Sequence, residues 1–419
     1  MSIDSLYRAH GFVPLDAPTD AERLAVIDLD AVEHNVRRIK TLIGQRALIA
    51  VVKADAYGHG ALDVARSAVA AGADYLGVVH VKEARTLRAG GVTAPIIAWL
   101  HTPRTDFSQA LTDNLELGVS STWELDTIAT THRVSGRYEP IKIHLKVDTG
   151  LGRNGVTMSE LPALAAAARQ LEEDGVLQVV GVFSHLAVAD EPERTETAEQ
   201  SQTFDRALDI LHSAGLRPTL RHLANTPATF SAASVGAEEG LLRDAVRVGL
   251  GLYGLSPLPG KTPADLGLKP VMHLQTFINA VKEVPAGQGV SYGLNYVTDK
   301  PTTLALVPVG YADGVPRVAT SGPVRIYPAS GPSRTYRAVG RIAMDQLVVD
   351  LGEPGLADPA AGFLGAPAVL FGTGDNPPVT DWAEASGTIN YEIVTRISPR
   401  VTRISVGGSW RQRDTESEQ

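Results

Sequence analysis

Residues 47–60 read ALIAVVKADAYGHG. The first six are apolar without a polar alternation, and a lysine, Lys53, follows them. A strand covered on both faces reads this way, because neither face turns to water. The same kind of run recurs at 75–80, 95–100, 115–120, 141–147, 177–185, 220–224 and 246–250, which makes eight in all. Helical spacing fills several of the gaps, at 61–71, 82–89, 161–171 and 199–214, where Phe204, Leu208 and Leu211 share one side. Eight short buried strands with crossovers predict an α/β fold, a (β/α)8 TIM barrel, with an open doubly wound sheet as the alternative.

After Gly260 the pattern changes. The Pro- and Gly-containing stretch 256–270 reads as a linker. Strand-like runs with little helix follow, at 272–284, 303–309, 324–327, 346–351 and 367–371, with a short helix near 381–386. The expected organisation is an N-terminal extension (1–22), a barrel (23–260), a C-terminal mainly-β domain (261–405) and a polar tail (406–419). A chain of 419 residues has room for a barrel of about 250 residues and a companion.

Composition excludes several classes of function. With no cysteine there are no disulfides, thiolate zinc sites, iron–sulfur clusters or cysteine nucleophiles. A net charge of −9 offers no basic surface for nucleic acid. No apolar run approaches the roughly 18 residues of a membrane span. The stretch 1–19 holds Asp4, Arg8, His10 and Asp16 and no apolar core, so it does not read as a secretory leader, and a cytoplasmic protein is expected. No histidine pair sits at helical ligand spacing with carboxylates, so no metal is expected. Gly289-Val290-Ser291-Tyr292-Gly293 matches the G-x-S-x-G elbow of hydrolases, but the last histidine is His273, so no triad histidine follows it. Gly260-Lys261-Thr262 resembles the end of a phosphate-binding loop, but the first glycine would fall at Leu255.

Lys53 is different. It sits where the first barrel strand ends, and barrels carry their active sites at that end. Partial desolvation there lowers a lysine from its ordinary pKa of about 10.4 and makes it nucleophilic.

The run VVKADAYGHG at 51–60 is similar to the pyridoxal-phosphate motif of alanine racemases. Further similar motifs occur in the family's order: KVDTGLGRNG from Lys146, FSHLAVAD from Phe183, HLANTPA from His222, VRVGLGLYGLSP from Val246, VSYG from Val290, GYADG from Gly310, AMDQ from Ala343 and GTINYE from Gly387. The resemblance spans roughly residues 20–405. It implies a barrel plus a C-terminal β domain, working as a homodimer with active sites shared between subunits. It implies pyridoxal 5'-phosphate as cofactor and a small amino acid as substrate. It also implies interconversion of L- and D-alanine by two-base proton transfer through an external aldimine, supplying D-alanine for peptidoglycan.

By the same resemblance Lys53 holds the cofactor and serves one face of the substrate, and Tyr292 is the second base. A tyrosine begins near pKa 10 and needs a shift of about 2–3 units, roughly 3–4 kcal/mol, to work near neutrality. His185 and Arg247 match the polarising positions, with Arg247 on the pyridine nitrogen. Arginine only donates, so it disfavours protonating that nitrogen and restrains transamination. Tyr57, Asn225, Thr226, Gly249, Leu250 and Tyr391 match cofactor contacts, chiefly to its phosphate. Arg153, Met344, Asp345 and Tyr311 match substrate-side positions, Met344 and Asp345 reaching across from the partner. Asp190 and Arg317 fit an access corridor, and Lys146 matches a lysine that is carbamylated in many members. Thr226, Asp55 and Ala343 stand where Ser, Asn and Cys are frequent, and none of these changes removes a catalytic group. A decarboxylase of related layout places an acid on the pyridine nitrogen and uses a partner cysteine; Arg247 and the absence of cysteine oppose it. A broad-specificity or serine racemase differs only in pocket size. A non-catalytic cofactor carrier would lack the β domain.

Overall fold

The computed structural model describes residues 22–235 and 238–411. Most of the expected extension at 1–22 and residues 412–419 of the expected tail lie outside the described residues. The chain divides into two compact units, one built mainly from 61–269 with 32–56, the other from 270–408 with the first strand and residues 57–60.

The first unit is a closed parallel barrel. Its strands are β2 (Ala47–Val51), β3 (Tyr75–Val78), β4 (Ile96–Ala98), β5 (Glu116–Val119), β6 (Ile141–Lys146), β7 (Leu177–Phe183), β8 (Leu220–His222) and β9 (Ala245–Val248). Closure is direct, with Ala47–Ala50 of β2 aligned on Ala245–Val248 of β9. All eight apolar runs of the sequence are these eight strands. They do not alternate because side chains on one face fill the barrel and those on the other meet the helices. Inside, Ile49, Ile97 and Ala245 form a cluster against Trp99, Tyr75 and Leu220. Each fully buried isoleucine contributes about 1.5–3 kcal/mol. Trp99 fits because Gly77 carries no side chain; a Cβ there would lie 2.4 Å from the indole ring.

The second unit is a mainly β domain whose nine-stranded sheet runs β11-β14-β17-β16-β15-β18-β10-β1-β19. Its strands are β1 (Leu24–Asp28), β10 (Met272–Phe277), β11 (Ala280–Val284), β14 (Thr302–Val307), β15 (Pro323–Ile326), β16 (Arg334–Val339), β17 (Leu347–Asp350), β18 (Pro367–Phe371) and β19 (Thr402–Val406), with a small ribbon of β12 (Gly289–Val290) and β13 (Tyr296–Val297). Trp382, on the helix Val379–Ser386, is buried and donates its indole N–H to the carbonyls of Pro323 and Leu370 at 3.0 and 2.8 Å.

Three boundaries differ from the sequence expectation. Leu24–Asp28 was expected within a barrel at 23–260, but it pairs antiparallel with β10 and parallel with β19, where its apolar residues complete the β sheet. The units part at Lys269/Pro270 rather than at Gly260. The tail expected from 406 is held at its start: the Ser409 amide donates to Glu33 Oε1 at 2.7 Å and Trp410 Nε1 to Ser67 Oγ at 3.0 Å.

Candidate active site

Lys53 opens a single helical turn, Lys53–Gly58, directly beyond β2. Ala54, Asp55, Ala56 and Tyr57 have φ between 52° and 55°, so the turn is left-handed. L-residues resist this by about 1–2 kcal/mol each. Local bonds offset the cost: the Ala54 amide donates to Glu83 Oε1 at 2.8 Å, and the Asp55 carboxylate accepts the Ala61 amide at 2.8 Å. An asparagine oxygen could make the second bond equally well.

Around the same barrel rim stand Lys146 at the end of β6, Arg153 beyond it, His185 just after β7 and Arg247 in β9. Burial, then the Arg153 charge, lowers the Lys53 pKa, and Glu83 opposes the fall. Lys146 is lowered to about 8 by burial and then by Arg247 and Arg153. His185 is pushed down to about 3 by burial and then by Arg247, Arg153 and the two lysines, so its ring is neutral. Burial alone lowers Arg247, to about 9. These groups act on one another through a common low-dielectric space. They are donors in excess, which suits a ligand carrying several anionic groups.

Arg247 is firmly held. Its Nη1 donates to the His222 carbonyl at 2.5 Å and to His222 Nδ1 at 3.2 Å. Its Nη2 donates to the carbonyls of Ser184 at 2.5 Å and Leu223 at 3.1 Å, with His185 Nδ1 at 3.5 Å. The His185 loop is braced by Gln200, whose Nε2 donates to the His185 carbonyl at 3.1 Å and whose Oε1 accepts the Ala187 amide at 2.8 Å. Nearby, Thr226 Oγ1 accepts the Gly249 amide at 3.1 Å, which leaves the hydroxyl hydrogen to donate. Leu250 begins a 3-10 turn, and Asn225 Oδ1 accepts the Ala228 amide at 3.1 Å at the head of helix Thr226–Val235. Sequence reading missed Gln200 and also His222, His144 and Glu116, which lie behind Arg247. For Glu116, His144 and His222, polar side chains inside otherwise apolar strand runs were the available sign; Gln200 lies in the helix Glu196–Ser213.

The β unit carries the remaining expected residues. Tyr292 lies on a 3-10 turn after β12, 70% exposed. Ser291, the elbow-like serine, donates to the Arg341 carbonyl at 2.5 Å, and no long helix follows it. Tyr311 and Met344 share one loop pair: the Tyr311 amide donates to the Ala343 carbonyl at 3.1 Å and the Ala312 amide to the Met344 carbonyl at 2.9 Å. Asp345 is tied to Arg400 at 2.8 Å. Buried Asp313 accepts the Gly310 amide at 2.9 Å and so pins the same loop. Neither Arg400 nor Asp313 was singled out from sequence. The rings of Tyr57 and Tyr391 lie 6.0 Å apart, and burial raises the Tyr57 pKa, with Tyr391 adding to it. Asp190, in the barrel unit, and Arg317, in the β unit, are exposed. Among the described residues no group of three His, Cys, Asp or Glu could hold a metal ion, and no helix is long and apolar enough to cross a membrane.

Comparison with known proteins places these residues in a family context. The family model "Alanine racemase, N-terminal domain" matches residues 27–257 and "Alanine racemase, C-terminal domain" matches 271–405. The alanine racemase of Beutenbergia cavernae is 46% identical over 387 residues, 92% of this chain and 98% of that protein. That of Streptomyces coelicolor is 46% identical over 404 residues, 93% of this chain and 97% of that protein. The crystal structure of alanine racemase from D-cycloserine-producing Streptomyces lavendulae superposes with a TM-score of 0.87 at 45% identity, covering 94% of this chain and 99% of that one.

Proposed function

The chain belongs to the alanine racemase family, an isomerase family, and from that premise we propose that it interconverts L- and D-alanine with pyridoxal 5'-phosphate held at the barrel rim. The observation that carries the reading is the cluster of Lys53, Lys146, Arg153, His185 and Arg247 at the C-terminal ends of barrel strands, donor-rich and desolvated.

The donor set fits that cofactor. Lys53 supplies an amine of lowered pKa for its aldehyde. The Thr226 hydroxyl and the Gly249–Leu250 main chain suit its phosphate, with the hydroxyls of Tyr57 and Tyr391 as the family's further contacts. Both Nη atoms of Arg247 are engaged by the protein, and Nε–H is the donor that remains for the pyridine nitrogen. Pyridoxal phosphate, when bound, supplies an electron sink that acidifies the Cα–H of an attached amino acid.

The chain's own groups then manage the proton. Freed Lys53 takes or returns it on one face of Cα. Tyr292 of a partner copy serves the other face, which makes a homodimer with shared sites the working unit. Neutral His185 turns Nδ1 toward Arg247 and so presents Nε2–H as a donor that stabilises a phenolate. Arg153 steadies the substrate carboxylate, and Met344, Asp345 and Tyr311 shape the substrate side. Lys146, lowered to about 8, is a good acceptor of carbon dioxide, and a carbamate there would reverse its charge beside Arg153. A cytoplasmic role supplying D-alanine for peptidoglycan follows from the family.

The test is direct. Cofactor-loaded protein given L-alanine should yield D-alanine by chiral chromatography, Lys53→Ala should abolish it, and serine should turn over more slowly. Carbon dioxide release from lysine, ornithine or diaminopimelate without racemisation would replace this reading by a decarboxylase.

A further inference from the structure

Behind Arg247 a file of buried polar side chains crosses the barrel. His222 Nε2 lies 3.0 Å from His144 Nδ1, and His144 Nε2 lies 2.7 Å from Glu116 Oε2. Both rings are fully buried and Glu116 nearly so. Phe183 stacks on His222 with centroids 4.8 Å apart and planes within 5°, which fixes the ring plane. Gly181 makes room for His144, since a Cβ there would sit 2.0 Å from Nδ1.

The heavy-atom distances leave one arrangement of protons. Arg247 can only donate, so His222 Nδ1 must be a bare acceptor and Nε2 must carry the hydrogen. That hydrogen goes to His144 Nδ1, so His144 carries its own on Nε2 and gives it to Glu116. Glu116 Oε2 accepts it, and Lys142 Nζ lies 3.7 Å from the other oxygen, Oε1. Reversing the file would set an N–H of His222 against an N–H of Arg247. Three hydrogens fill three bonds, and both histidines are neutral.

We propose that Glu116 is a positioning residue for the reaction: through His144 and His222 it fixes the orientation of Arg247. The proposal rests on the reading of Arg247 as the group facing the cofactor ring. His185, Lys146 and the carbonyls of Ser184 and Leu223 face Arg247 from the other strands, and of these only Lys146, once carbamylated, would bring a negative charge. Glu116 anchors the file through two imidazoles that cannot turn without leaving a buried group unpaired.

The test uses full-length, cofactor-loaded protein labelled with 15N-histidine, with His144 and His222 assigned by single His→Gln substitutions. Both rings are expected neutral with the hydrogen on Nε2. Glu116→Gln, whose amide can donate as well as accept, should give His144 a mixed tautomer. It should lower kcat by about tenfold or more, the loss of a charge-assisted bond, while KM for alanine stays nearly constant. Transamination events per racemisation should rise. A cationic ring or an Nδ1–H tautomer in the wild type overturns the proposal, and this reading does not depend on the Glu116 variant folding. So does Glu116→Gln protein with wild-type kcat and partition, whatever its tautomers. A wild type that turns over no alanine overturns the racemase reading instead, and the two failures are separable because the tautomers are read without substrate.

Discussion

Gly181→Ala puts the packing behind the site under the sharpest strain. Gly181 is not among the positive-φ residues, so alanine is conformationally permitted there. Taken alone, the change would stabilise the fold by about 0.4–1 kcal/mol through the unfolded chain. The new Cβ, however, would lie 2.0 Å from His144 Nδ1 and 2.7 Å from Cε1, far inside contact distance. The imidazole must leave, breaking its bonds to His222 and Glu116 in a fully buried place. Each unpaired buried group costs about 1–3 kcal/mol, so the net loss is about 2–5 kcal/mol. For a barrel-sized domain that lowers Tm by roughly 4–20 °C. Thermal and urea unfolding followed by tryptophan fluorescence measures it. An unchanged or raised Tm would refute the argument, because it would mean that the ring never filled the space above Gly181.

Tyr292→Phe should lower kcat by about 100-fold or more, the usual worth of a positioned acid or base, and alter the two directions unequally, since Lys53 still serves one face; isotope effects measured from L- and from D-[2-²H]alanine read this out. Mixed dimers of Lys53→Ala and Tyr292→Phe subunits should regain activity, and no recovery in proven hybrids counts against Tyr292 acting across the interface. At pH 7.5 a Lys146 pKa of about 8 leaves roughly a quarter of the amine neutral, so mass spectrometry in bicarbonate should detect one added carbon dioxide that Lys146→Ala lacks. His101, His185 and His273 have folded pKa values of about 4, 3 and 4, below the unfolded 6.5, and that of His222 is also well below it. Between pH 6.5 and 4 the unfolded chain therefore binds more protons, and each such histidine removes about 1.4 kcal/mol of stability per pH unit on acidification; denaturant titrations showing flat stability over that window would contradict the neutral buried rings.

The barrel was legible because its strands are buried on both faces, and every one of the eight apolar runs became a strand. The β unit was read less fully. Its strand Arg334–Val339 is RTYRAV, with three exposed polar positions that carry no buried-strand pattern. Leu24–Asp28 looks like any buried strand, and only its partners, far off in sequence, decide which sheet it joins. The motif residues at the rim could be named from resemblance, but the group behind them could not. His144 and His222 are 78 residues apart and meet only because β6, β7 and β8 are neighbours in a closed barrel and Gly181 in the middle strand leaves a gap. Histidine in an apolar run marks an inward position without saying what it faces. The left-handed turn after Lys53 was likewise hidden, since Ala54, Asp55 and Ala56 have no preference for positive φ strong enough to read.

Incubating the cofactor-loaded protein with L-alanine in heavy water and following the α-proton by NMR together with the enantiomer ratio tests the account most directly. Loss of the α-proton signal should accompany approach to equal L and D forms, and both should vanish in Lys53→Ala. Exchange without inversion, or no exchange at all in protein shown to hold the cofactor, would contradict it.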